Sequence, residues 1–295
     1  MSGWHIGVIG GSGLYEPGAL DDAQEIAINS PFGTPSGPVT TGTINGVKFT
    51  FIARHGAGHV LSPGHVNYRA NIDVLKRAGA TDVLAISAIG SLREELPPGE
   101  FVAVDQLIDR TTGRDRSFFG DGIVAHVPLA DPVCPRLSGL AVKAAEKAGA
   151  KIHKGGTYVA IEGPQFSTRA ESHLYREWGA DVIGMTAMPE ARLAREAELP
   201  YALVGMVTDY DCWRDPSDDV DVTDILKVMK DNADKARALL AELAKALPKK
   251  RQPSPIDTVL DTAIITPRAS WDISAAARLD AVARRMVEFF PPSQD

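Results

Sequence analysis

Tyr201-Ala202-Leu203-Val204-Gly205-Met206-Val207-Thr208-Asp209-Tyr210-Asp211-Cys212-Trp213 is an apolar run that stops on two acids one residue apart. Unbroken apolar character from 201 to 207 marks a strand covered on both faces rather than one side exposed to water. Acids at its end then lie beyond the carboxyl edge of a sheet, where α/β proteins bind ligands. In an extended chain Asp209 and Asp211 point to the same side, so both can meet one ligand. The competing reading is a strand end whose acids are solvated or cap the next helix.

Working outward, similar apolar runs recur at 6–9, 47–53, 83–86, 101–108, 158–162 and 181–185, each read as a strand. Between them lie segments of helical spacing. Residues 66–78 carry Ile72, Leu75 and Ala78 and stop at Gly79; 136–148 stop at Gly149. Thr168 or Ser167 can cap a helix through Ala170, Leu174 and Trp178, with Glu171 in its first turn. Pro189 opens a helix to Leu199, and Val222 to Leu243 recur at three- and four-residue steps as one long amphipathic helix. Strands alternating with helices define an α/β fold, a single domain with a mixed central sheet flanked by helices. Residues 249–255, Lys-Lys-Arg-Gln-Pro-Ser-Pro, read as a solvated linker, and 274–290 as a final helix. The expected division is therefore 1–247 as the domain and 248–295 as linker and C-terminal helical extension.

Composition bounds the function. The 295 residues are 44% hydrophobic and 23% charged, enough to bury a sizeable core. A formal charge of -7 argues against a nucleic-acid binder, though not against a small anion held by local basic groups. Two cysteines, Cys134 and Cys212, provide neither a disulfide framework nor a CxxC zinc pattern. No secretory signal or membrane span is visible, so the expected compartment is the cytoplasm.

Three strand ends carry groups suited to an anion. Gly10-Gly11-Ser12-Gly13-Leu14 is a glycine turn of the kind that closes backbone N–H groups around phosphate. It is not a dinucleotide fingerprint, because Glu16 occupies the third glycine position and Pro17 and Gly18 follow before any helix. Arg54-His55-Gly56 follows the 47–53 strand, and a guanidinium fork there matches two phosphate oxygens. His55, His59 and His65 invite a metal, but glycines and prolines separate them and no cysteine or acid lies among them, so no metal site is expected. Ser87-Ala88-Ile89-Gly90-Ser91 reads as a second small-residue turn at a strand end.

Together with Ile161-Glu162-Gly163-Pro164-Gln165-Phe166-Ser167, Gly184-Met185-Thr186-Ala187-Met188-Pro189-Glu190 and Thr208-Asp209-Tyr210-Asp211-Cys212-Trp213, these motifs resemble the trimeric branch of the purine nucleoside phosphorylases, and within it the 5′-methylthioadenosine phosphorylases. The likeness runs from the first strand to about Leu247. The resemblance implies a homotrimer with active sites near the subunit interfaces, and a pentosyltransferase reaction. Phosphate attacks the anomeric carbon of methylthioadenosine, giving adenine and 5-methylthioribose 1-phosphate, in purine and methionine salvage. No metal or organic cofactor is implied; phosphate is a co-substrate.

By the same resemblance Ser12, Arg54, His55, Ala88 (through its N–H) and Thr186 hold phosphate, and Met185 lies against the ribose. Phe166 and Ser167 meet the base, while Asp209 and Asp211 bind it and serve as the catalytic acids. His126, expected from a neighbouring subunit, lines the methylthio pocket with Val222 and Ile225. A carboxyl near purine N7 can protonate the leaving base if its pKa is raised. Carboxylates also accept from a 6-amino group, whereas 6-oxopurine members typically carry asparagine at the first acid and glutamate after the phenylalanine. Apolar size discrimination is worth only about 1–3 kcal/mol, so adenosine is expected to be a slower substrate. Two positions depart from the pattern: Ile89, where a smaller or polar residue is common, and Gly184, where asparagine often stands. The readings set against this one are a 6-oxopurine or methylthioinosine phosphorylase, a nucleoside hydrolase, and a non-catalytic nucleotide-binding protein.

Overall fold

The computed structural model describes residues 3–11, 14, 20–214 and 222–288, with backbone alone at 222–227 and 229. Strands β1 (His5–Gly10), β2 (Asp21–Ile26), β3 (Val39–Ile44), β4 (Val47–Ala53), β5 (Asp82–Ser91), β6 (Phe101–Val104), β7 (Gln106–Asp109), β8 (Ile152–Lys154), β9 (Thr157–Ala160), β10 (Val182–Gly184) and β11 (Tyr201–Asp209) form one mixed sheet. Helices α1 (Tyr68–Arg77), α2 (Pro135–Lys147), α3 (Arg169–Glu177), α4 (Ala187–Glu196) and α5 (Val222–Ala246) flank it. The α/β class and the mixed sheet read from the sequence are therefore present.

The sheet divides along β5, and that division makes the site. The first half of β5 runs parallel to β1, Ile6 opposite Asp82 through Ile9 opposite Ala85. Its end instead pairs antiparallel with β10, Ile183 opposite Gly90 and Val182 opposite Ser91. On that flank residues 86–89 meet no strand among the described residues, while β11 stays paired along the other flank. Neighbours that part at the carboxyl ends of parallel strands open a crevice. The crevice is lined by what those ends carry.

β11 is buried from Tyr201 to Thr208, as its apolar run requires. Two hydrophobic clusters cover the sheet. One gathers Ile72, Leu75, Val104, Leu193 and Leu203; the other gathers Phe49, Leu84, Leu137, Leu240 and Leu243, where α2 and α5 pack together. At Ile89 the larger side chain has a local explanation. Its Cδ1 fills the space beside Gly205, where a Cβ would sit 2.3 Å away.

Three readings are corrected and one is qualified. Residues 87–91 are not a turn: they continue β5, because β11 supplies ladder partners as far as Gly90. The single strand expected over 101–108 is two, β6 beside β11 and β7 beside β9, separated at Asp105, whose carboxylate accepts from the Gly156 N–H at 3.0 Å. The linker over 249–255 is exposed at Lys249, Lys250, Gln252, Pro253 and Pro255, as read, but it is buried at Ser254 and anchored at Arg251. The Arg251 guanidinium bonds the buried Asp82 at 2.5 Å and Asp257 at 2.7 Å, and Trp4 Nε1 donates to Pro248 O at 2.8 Å. The single helix expected over 274–290 is broken into α7 (Ile273–Arg278) and α8 (Arg284–Val287), after a short α6 (Leu260–Ala263). Leu260, Trp271, Leu279 and Val282 of this tail are buried in the same cluster as Ile72 and Leu203.

Candidate active site

A cavity of about 600 Å³ occupies the crevice. It is lined by Arg54, His55, Ala88, Thr186, Met185, Phe166, Ser167, Asp209 and Asp211, so the structure brings these sequence-predicted residues into one space. Gly11 lines it as well. Ser12 lies outside the described residues, as do the side chains of Val222 and Ile225. His126 is elsewhere: it is exposed, and its N–H donates to Ala263 O at 2.8 Å.

At one end, Arg54 is buried to 1% exposure and clamped by Glu190, itself 1% exposed. Nε donates to Glu190 Oε2 at 2.8 Å and Nη2 to Oε1 at 2.9 Å, a bidentate fork. Nη1 donates to Ser87 Oγ at 3.0 Å, and contacts at 3.5 Å to the Ile86 and Ile9 carbonyls use the remaining N–H groups. Tyr201 donates to Glu190 Oε1 at 2.9 Å. Burial works against the Arg54 charge, but the Glu190 carboxylate more than offsets it and holds the guanidinium ionised. The charge the sequence assigns to anion binding is thus already paired, by a residue to which the sequence reading gave no role.

Ser87 Oγ lies 3.2 Å from Thr186 Oγ1, and the Thr186 N–H donates to the hydroxyl of Tyr158 at 3.2 Å. His55 Nδ1 lies 2.8 Å from Leu61 O. A carbonyl only accepts, so Nδ1 carries the proton and the neutral ring keeps Nε2 as an acceptor. Burial, with Arg54 adding to it against the Leu61 carbonyl, pushes the His55 pKa down to about 4. The three clustered histidines separate: His55 stacks on His59 with centroids 4.3 Å apart, while His65 Nδ1 meets Ser62 Oγ at 2.7 Å.

At the other end stand the two acids. They are not aligned by a regular strand. The β11–β5 register shifts between Val207 and Asp209, and Asp211 has φ 50°, in the left-handed region. A bulge and a turn, rather than the two-residue period, point both acids into the cavity. Burial raises the pKa of Asp209, against hydrogen bonds from Thr208 Oγ1 at 2.7 Å and the Asp211 N–H at 2.8 Å. Burial also raises that of Asp211, and the nearby Asp209 adds to it. Asp211 Oδ2 and Ser167 Oγ are buried without a partner among the described residues. Such atoms are costly unless something else bonds them. Phe166, 61% exposed, flanks this end.

Arg114 holds the two sides of the site together, and sequence reasoning missed it. Its guanidinium donates to Glu162 O at 2.7 Å, Met185 O at 2.6 Å, Met188 O at 2.8 Å and Glu162 Oε1 at 3.0 Å. It thereby ties the loop carrying Phe166 and Ser167 to the segment carrying Met185. Arg114 stands in an irregular stretch with no apolar period, so nothing local singles it out.

The mixed sheet with a crevice at its strand ends is that of an α/β enzyme fold, and the chain belongs to the phosphorylase superfamily, whose family model matches residues 5–245. It is 56% identical over 284 residues to the S-methyl-5′-thioadenosine phosphorylase of Bradyrhizobium diazoefficiens, covering 96% of this chain and 98% of that one. It superposes with a TM-score of 0.90 on a methylthioadenosine phosphorylase from an antarctic soil metagenomic library, at 44% identity, covering 95% of this chain and 98% of that chain. The Schistosoma mansoni methylthioadenosine phosphorylase in complex with adenine matches with a TM-score of 0.79 at 36% identity, covering 82% and 91% of the two chains.

Proposed function

We propose that this protein catalyses phosphorolysis of 5′-methylthioadenosine, releasing adenine and 5-methylthioribose 1-phosphate. The observation that carries the reading is the division of one cavity into two chemistries. Raised-pKa acids with an unpartnered Asp211 oxygen stand at one end, and a hydroxyl and guanidinium cluster at the other. The names of the relatives support the same substrate.

Phosphate sits at Thr186, Ser87, Arg54 Nη1, the Ala88 N–H and Ser12, where an oxygen replaces the long 3.5 Å contact of Nη1 with the Ile86 carbonyl. His55 Nε2 accepts from the protonated oxygen of hydrogen phosphate. Met185 packs against the ribose, Phe166 against the purine face, and Ser167 at the base edge. A phosphate oxygen bonds to C1′ as the C1′–N9 bond breaks and its electron pair moves to the purine. Asp209, protonated, donates to N7 and neutralises that charge, with Asp211 accepting from the 6-amino group. No metal or organic cofactor takes part.

The 5′ pocket is completed by Val222, Ile225 and His126 of a neighbouring subunit in a homotrimer. The exposed position of His126, outside its own chain's cavity, supports that assignment. The protein works in the cytoplasm; among the described residues no helix is long and apolar enough to cross a membrane. The test is base release from methylthioadenosine, adenosine and inosine, each with and without phosphate. Phosphate-dependent release, fastest with methylthioadenosine, is expected. Faster release from inosine would replace the reading with a 6-oxopurine phosphorylase, and release without phosphate with a hydrolase.

A further inference from the structure

Gly184 precedes the two residues that bridge the ribose and phosphate ends of the cavity, Met185 and Thr186. The space a side chain at 184 would need is already filled. A Cβ there would lie 2.2 Å from the Tyr158 hydroxyl oxygen, 2.8 Å from Cζ and 3.1 Å from Cε2. Tyr158 is fully buried on β9, parallel to β10, and is not among the cavity-lining residues. Its hydroxyl accepts from the Thr186 N–H at 3.2 Å, and the Ala187 amide and Thr186 hydroxyl face the same oxygen. Polar contact then runs unbroken through Thr186 Oγ1, Ser87 Oγ, Arg54 and Glu190 to Tyr201.

We propose that Tyr158 is a positioning residue for phosphate: its hydroxyl, seated in the space vacated by the glycine at 184, sets the backbone at Thr186 and so aims the Thr186 hydroxyl into the phosphate end of the cavity. It touches no substrate. The inference rests on the assignment of Thr186 to phosphate. Because Tyr158 reaches neither the acids nor Phe166, its loss acts on phosphate and leaves the base's own contacts in place.

The test is steady-state kinetics of Tyr158→Phe, which keeps the ring and removes only the hydroxyl, with phosphate and methylthioadenosine varied separately. The KM for phosphate is expected to rise about fivefold to tenfold, one neutral hydrogen bond's worth of placement, while the KM for the nucleoside stays within about twofold. An unchanged phosphate KM, or an equal rise in both, overturns the inference. Thr186→Val separates this from the underlying assignment: if it too leaves the phosphate KM unchanged, the placement of phosphate fails and the role of Tyr158 with it. A second pair of variants tests the shared space by thermal unfolding. Gly184→Ala is expected to destabilise the parent and to be tolerated in a Tyr158→Leu background; equal damage in both backgrounds overturns the inference.

Discussion

Glu190 grips Arg54 through two parallel hydrogen bonds of 2.8 and 2.9 Å, and both residues are only 1% exposed. The pair joins the end of β4 to helix α4 across 136 residues of sequence. Its consequence for the site is electrostatic. A guanidinium in a buried cavity would attract any anion, whereas a paired one offers hydrogen-bond geometry with little net charge. Specific binding there depends on the neighbouring hydroxyl and amide donors as much as on attraction.

Removing one member of a buried pair leaves the other charged and unsatisfied. Glu190→Gln is expected to cost about 3–5 kcal/mol of stability. Arg54→Met alone is expected to be similarly damaging, and the double variant far less so than the sum. Urea unfolding of the four proteins measures the coupling; strictly additive losses would show that the pair contributes no net interaction.

Asp209→Asn keeps the size of the side chain and removes its proton donor. Turnover of methylthioadenosine is expected to fall about 10²–10⁴-fold. Stability is expected to move the other way. Burial raises the native pKa of Asp209 above the ordinary 3.8. The native state therefore holds a proton that the unfolded chain has already lost, and stability falls as pH rises through that interval. Asparagine removes this penalty, so the variant should melt higher than the parent at pH 7 and lose the advantage below the unfolded value. A variant that keeps near-normal turnover would exclude Asp209 as the acid.

Histidines and a buried glutamate give stability opposing pH slopes. Burial pushes His5 and His55 down from 6.5 to about 4. Between those values the unfolded chain binds protons that the native state refuses, so stability drops as pH falls from 6.5 toward 4, by up to roughly 3 kcal/mol for each histidine. Glu196 is raised by burial from 4.5 to about 7, against hydrogen bonds from the Phe118 N–H and the Ser117 hydroxyl, each at 2.7 Å. Its contribution is present below pH 4.5 and is lost as pH rises toward 7. Glu196→Gln should therefore be more stable than the parent at pH 7, by up to roughly 3 kcal/mol, and equal to it near pH 4.5. Melting temperatures across pH 4–8 check both slopes, and a parallel pair of curves would refute the role of Glu196.

A chain ending at Leu247 is expected to be unfolded or aggregated. Truncation there strips Leu260, Trp271, Leu279 and Val282 from the core and leaves the buried Asp82 without Arg251. Circular dichroism and size exclusion of the truncated chain give the answer; a folded, phosphorolytically active protein would contradict it.

The sequence by itself determined the α/β class, most of the strands and helices, and which side chains stand at strand ends. Those features are written locally: the apolar run from Tyr201, the Thr168–Glu171 capping box and the stop at Gly79 each depend on near neighbours. It could also place Arg54, Thr186 and Asp209 at candidate positions, because a polar group that ends a buried strand stands out within a few residues. Only the tertiary structure decided what meets them. Glu190 pairs with Arg54, Tyr158 occupies the space beside Gly184, and Arg114 ties Glu162 to Met185 through contacts between segments distant in the chain. The acids face one cavity through a bulge and a left-handed turn, neither of which leaves a period to read. Burial, and with it the raised pKa of Asp209, belongs to the packed molecule: the low dielectric that favours the protonated acid exists only after helices and sheet have closed around it.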